Sequence, residues 1–191
     1  MEPSEETSHL SLQNSTGAIL LQAYLMSGET EKARDHAQIR HYLHLLSLVS
    51  DAIQLLTIYT DDLKRCEEIM RRTQGVIDLY HLKQLHPNLV SQYYYQAALT
   101  YAQNEDADHA LDMLLRFEHC VNSLLSQEHI TLHGDSYFDR LDPWIEQLPL
   151  GDHAPRDKAF ARQSAIEALS HPAFSILKER EEFRSLTFIH F

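Results

Sequence analysis

The chain has 191 residues, 43% of them hydrophobic, but only 5 Gly and 6 Pro. That apolar content rules out a disordered chain, and the scarcity of turn formers argues for long helices on short connections rather than a sheet. The formal net charge of −12 repels a polyanion, because nucleic-acid binding needs a basic footprint.

The N-terminal residues 1–16 are polar and acidic and are expected to fray. No positively charged segment with an apolar stretch behind it marks a signal peptide. No apolar run of the ~18 residues that suggest a membrane span is present. Cys66 and Cys120 form neither a CxxC pair nor a disulfide framework. A cytoplasmic protein with reduced thiols is the expectation.

Helical periodicity starts at Gly17. Ile19, Leu20, Ala23 and Tyr24 recur at helical spacing and stop at Ser27-Gly28. Thr30 is placed to cap a second helix carrying Ala33, Ala37 and Ile39. A third is expected from His41 to Tyr59, with Tyr42, Leu45, Leu46, Val49, Ile53 and Leu56 on its stripe. Leu43, Leu48 and Leu55 lie off that stripe, which predicts burial on more than one side. Thr60 or Asp61 caps a fourth helix with the stripe Leu63, Cys66, Met70, Thr73, Ile77 and Tyr80. Gly75 interrupts it, and close helix packing is the expected reason. The basic cluster Lys64-Arg65 and Arg71-Arg72 is interleaved with Glu67 and Glu68 and reads as a solvated helix face.

Leu85-His86-Pro87-Asn88 breaks the chain. The fifth helix carries Val90, Tyr94, Ala97, Ala98 and Tyr101; the sixth carries Ala110, Leu114, Phe117, Val121 and Leu124. Residues 17–126 thus read as three helical hairpins. Tyr24, Gly28 and Ala33 match the spacing of a tetratricopeptide unit, and Tyr101, Glu105 and Ala110 repeat it. The small residue is expected where paired helices cross, letting the backbones approach. The fold class is therefore all-α: tetratricopeptide-like hairpins with extra C-terminal helices.

Residues 127–191 form the C-terminal extension, opening on a linker over 127–135. Its Leu132-His133-Gly134-Asp135-Ser136 can be read as an apolar strand presenting a Gly-Asp-Ser nucleophile. No Asp-x-x-His follows Ser136: the pair Asp106 to His109 lies before it. Ser136-x-x-Asp139 also has capping-box-like spacing, so a cap on a helix from Tyr137 to Gln147 is favoured. Pro155 opens a further helix to Leu169, and Ser170-His171-Pro172 ends it.

Thirteen histidines invite a metal site. His41 and His44 share a helix face, and Glu118-His119-Cys120, His129 and His133 could add ligands. There is no HExxH and no zinc spacing, so surface histidines are expected and no metal or other cofactor. Tyr93-Tyr94-Tyr95 cannot all face one core, because a helix turns ~100° per residue. Tyr94 belongs to the stripe. Gln92, Tyr95 and Gln96 are the candidates to present rings and amides to a ligand across a concave surface, with His41 and His44 as secondary candidates.

Several stretches together resemble the C-terminal part of Xre-type helix-turn-helix transcription regulators of Firmicutes. They are LLQAYLMSGETEKAR, RHYLHLLSLVSDAIQLL, LHPNLVSQYYYQAALTYA, LHGDSYFDRLDPWIEQLPLGDHAPRDK and ALSHPAF. The resemblance implies a regulatory domain that dimerises and senses a peptide, small ligand or protein partner. In that family a DNA-binding domain precedes the repeats; none is expected within these residues, whether they are a fragment or a stand-alone relative, so DNA contact is expected only through such a domain. A stand-alone interaction scaffold is the alternative expectation, and a Ser136 hydrolase the remote one.

Overall fold

The computed structural model describes residues 5–126, 131–149, 151 and 158–186. Among them the protein is helical, with no strand, and no helix is long and apolar enough to cross a membrane.

Helix α1 spans Glu5–Met26. It ends in a left-handed turn: Gly28 has φ +75°, Glu29 N–H donates to Tyr24 C=O at 2.9 Å, and Gly28 N–H donates to Leu25 C=O at 3.2 Å. This pair of bonds satisfies carbonyls that the helix end leaves open. A Cβ at Gly28 would meet nothing within 4 Å. The glycine is therefore required for its backbone conformation, not for the close helix crossing its spacing suggested.

Helix α2 runs unbroken over Thr30–Ile58. Two helices meeting near Ile39–His41 were expected, but no Gly, Pro or capping side chain interrupts that stretch, so the hydrogen-bonded ladder continues. Thr30 is its first residue, and the N-cap position belongs to Glu29, which makes no side-chain cap bond. Ala33, Tyr42, Leu45, Val49, Ala52 and Leu56 are buried along a single stripe. Leu43, Leu48 and Leu55 are exposed, which corrects the expectation of burial on several sides.

Helix α3, Leu63–Leu79, is capped by the Asp62 carboxylate, which accepts from Arg65 N–H at 3.1 Å. Cys66, Met70, Thr73 and Ile77 are buried, as their spacing predicts. Gly75 is exposed, with open space where a Cβ would sit, so close packing does not explain it. His81, at φ 51°, turns the chain into the short α4, Leu82–Leu85, and both its leucines are buried.

Helix α5, Pro87–Gln103, is the central element. It packs against α2, α3, α4 and the next helix, α6 (Ala107–Ser126). Small and aromatic residues make that centrality possible. Ala97, Ala98 and Ala102 let neighbours approach, while Tyr93 and Tyr94 fill the remaining volume. Each fully buried aromatic contributes roughly 1.5–3 kcal/mol. The α5–α6 turn repeats the left-handed geometry of the first: Glu105 has φ 62°, and Asp106 N–H donates to Tyr101 C=O at 3.0 Å. Ala33 and Ala110, each in the first turns of the following helix, are buried.

The expected helix over Tyr137–Gln147 shrinks to α7, Asp142–Ile145. Pro143 has no N–H and its ring clashes one turn upstream, so it fits only the start of a helix. Ahead of it, one Asp135 carboxylate oxygen accepts from Tyr137 N–H at 2.9 Å and Phe138 N–H at 2.7 Å. Asp135, and not Ser136, thus closes the turn here, and α7 itself has no side-chain cap. Phe138, Leu141 and Ile145 are buried, and the segment docks on the first half of α2. Gln38 donates to Asp139 at 2.7 Å and accepts from Arg140 N–H at 3.1 Å. Arg140 reaches Asp35 at 2.8 Å and Glu31 at 2.7 Å.

Helix α8, Lys158–Leu169, packs on α6; its expected start at Pro155 lies outside the described residues. The His171 ring caps a 3-10 helix, Pro172–Leu177, by accepting from Ala173 N–H at 3.2 Å. Short α9, Glu181–Arg184, follows.

Candidate functional site

A cavity of about 700 Å3 lies between the N-terminal half of α5, the second half of α6, residues Thr131 and Leu132, and one face of α8. That size falls within the ~300–1,000 Å3 of small-molecule sites. Its walls are apolar: Phe117, Val121, Leu124 and Leu125 from α6, Leu132, and Phe160, Ala161, Ala165 and Ala168 from α8. The alanines and Ser164 recur at helical spacing, so α8 turns its short side chains toward this space. The first turns of α5 contribute polar groups at one end: His86, Asn88, Ser91 and Gln92.

Tyr95 ties the two sides together. It is half-buried, and its hydroxyl donates to the Ala168 carbonyl at 3.2 Å across the cavity edge. The Phe117 and Phe174 rings stand 5.8 and 5.9 Å from its ring. Burial raises its pKa, so it remains a hydroxyl donor at neutral pH.

His86 combines two roles. Its Nδ1 accepts from Leu89 N–H at 3.2 Å, which caps α5. An accepting Nδ1 leaves the proton of the neutral ring on Nε2. Burial lowers the His86 pKa, favouring that neutral form. Ser91 donates its hydroxyl to Asn88 C=O at 2.8 Å. Asn88 and Gln92 are exposed, so this polar end is the mouth.

Of the sequence candidates, the structure brings Gln92 and Tyr95 to the cavity. Gln96 is half-buried one turn further and does not line it. His41 and His44 are exposed on α2, away from the cavity. The His41 ring packs at 5.5 Å from Tyr80, 6.0 Å from Tyr137 and 5.7 Å from Phe138, joining α2 to the docked 137–138 segment. The other two tyrosines of the run enter the core. Tyr93 donates to Met70 C=O at 2.9 Å, and Tyr94 packs beneath the Lys83 ammonium, 5.7 Å from its ring centre.

No group of three or more His, Cys, Asp or Glu side chains is placed to hold a metal ion among the described residues; His129 lies outside them. Both cysteines are buried, and burial pushes the Cys120 thiol up to about 11, which suppresses thiolate chemistry. Gly134-Asp135-Ser136 sits in a loop. The Asp142 carboxylate accepts from Gly134 N–H at 2.6 Å, and a Cβ at Gly134 would overlap the Phe138 carbonyl oxygen. The glycine is needed for this tight loop, and Ser136 is exposed at its tip.

Residues that the sequence reading did not select form most of the wall. The α8 spacing of Ala161, Ser164, Ala165 and Ala168 was the available signal. It shows a face of short side chains but not which helix that face meets. No family model, curated protein or solved structure matches this chain.

Proposed function

We propose that this chain is the sensing and dimerisation part of a bacterial transcription regulator, and that the α5–α6–α8 cavity is where its ligand binds. The cavity carries the sensing half of this reading: a separate helix, α8, walls one side of it, and the Tyr95–Ala168 hydrogen bond bridges its edge. The regulator half rests on the resemblance of the quoted stretches. Occupying the cavity would bias α8 between two packings, which requires different ligand affinities for the two states. The chemistry of the site favours binding rather than catalysis.

Helix α2 supports the dimer. Leu48, Leu55 and Ile58 are exposed at 49%, 40% and 67%, and their spacing puts them on one helix face. A row of exposed large apolar side chains is a docking signature. The same face supports the second reading, a scaffold that binds a different protein. Native mass spectrometry separates the two. The regulator reading expects a two-subunit mass that is lost in Leu48→Glu/Ile58→Glu. A single-subunit mass for the wild-type chain at micromolar concentration would favour the scaffold.

A further inference from the structure

We infer that the cavity takes an uncharged amphiphile, an acyl-type molecule with an apolar tail and a neutral hydrogen-bond acceptor such as an ester or ketone. This rests on the sensor reading and goes beyond it by fixing the ligand chemistry. Three observations carry it. First, α8 walls one side of the space and the Tyr95–Ala168 hydrogen bond spans its edge, so an extended peptide cannot run out past that edge and a compact molecule suits the site better. Second, none of the described lining residues is Lys, Arg, Asp or Glu. A charged head would meet no counter-ion among these described residues, whereas a neutral acceptor needs only a hydrogen-bond donor. Third, the polar groups collect at the α5 end, where the His86 Nδ1 is occupied by Leu89 N–H and its Nε2–H remains to donate. Asn88 and Gln92 add amides at the mouth. A tail would then lie against Phe117, Val121 and Leu124, with its tip toward the α8 alanines.

The test uses the delipidated chain and an uncharged fluorescent probe, N-phenyl-1-naphthylamine, displaced by methyl decanoate or by decanoate at pH 8. Methyl decanoate is expected to displace the dye at least tenfold more strongly than decanoate. Ala165→Phe should reduce dye binding at least tenfold. Ala161→Leu, at a half-buried position, gives the same reading if Ala165→Phe does not fold. His86→Asn keeps an α5 cap while removing the ring. It should weaken methyl decanoate about two- to tenfold, the range for one hydrogen bond, and leave dye affinity unchanged. Equal displacement by ester and carboxylate, or dye binding indifferent to the filling substitution that folds, would overturn the inference. The sensor reading fails separately: ester binding that leaves the subunit number unchanged removes the switch and keeps the ligand class.

Discussion

Two backbone positions at φ > 0 show how one geometry carries different costs in different residues. Gly28 adopts its turn freely, whereas Glu105 holds nearly the same φ with a Cβ attached. Gly28→Ala should cost about 1 kcal/mol and Glu105→Gly should gain up to about 1 kcal/mol. Urea unfolding checks both, and equal midpoints for Glu105→Gly and wild type would count against a strained turn. In the 132–144 stretch, the side chain that closes the turn by accepting backbone N–H groups, as a cap does, is Asp135. Asp135→Ala is expected to lose about 1 kcal/mol, as lost caps do, while Ser136→Ala stays within about 0.5 kcal/mol, as exposed substitutions do. The reverse ranking would restore the sequence-based cap. Capping was legible as a property of this stretch, but two adjacent polar residues could each supply it. Only the bonds to Tyr137 and Phe138 N–H choose between them. His86 adds a pH dependence. Burial lowers its folded pKa below the ordinary histidine value of 6.5, so the unfolded chain binds the proton more readily. Its contribution to stability is whole above pH 6.5 and is lost as the pH falls through the folded value. Between pH 7.5 and 5 the wild type should therefore lose more stability than His86→Asn. Parallel curves would remove that role.

At the scale of elements, periodicity located α3, α5 and α6 because their buried stripes are local facts of the sequence. Boundaries between like elements were harder. Nothing in Gln38–His41 marks a break, and the two helices expected to meet there are one. The continuous α2 has a structural consequence. Its first half receives the 137–141 segment through Gln38, Asp35 and Glu31, and its second half offers Leu48, Leu55 and Ile58 outward. One helix thus carries both the intramolecular dock and the proposed interface. The Tyr95–Ala168 hydrogen bond couples α5 to the end of α8 in the same way. Tyr95→Phe keeps the ring contacts with Phe117 and Phe174 and deletes only that bond. It should accelerate amide exchange in Lys158–Leu169 while leaving α5 and α6 protected. Unchanged exchange in α8 would mean that the bond does not hold the helix in place.

For the molecule as a whole, the helical class was legible from composition and periodicity, whereas the cavity was not. Gln92 and Tyr95 were selected because a tyrosine run cannot face one core, and that argument is local. Phe117, Val121, Leu124 and the α8 alanines meet them only through contacts between elements far apart in sequence, and spacing within a helix carries no record of such partners. His41 shows the converse: a helix face shared with His44 suggested ligand chemistry, while its ring belongs to an aromatic contact between α2 and the docked segment. Helix α8 covers an apolar space on the α5–α6 hairpin without filling it. Xenon, which enters dry apolar cavities, tests this most directly in a pressurised crystal. Xenon density among Phe117, Val121, Leu124 and Ala165 is the predicted result. Side chains packed through that space, with no xenon bound there, would mean that α8 leaves no cavity on the hairpin.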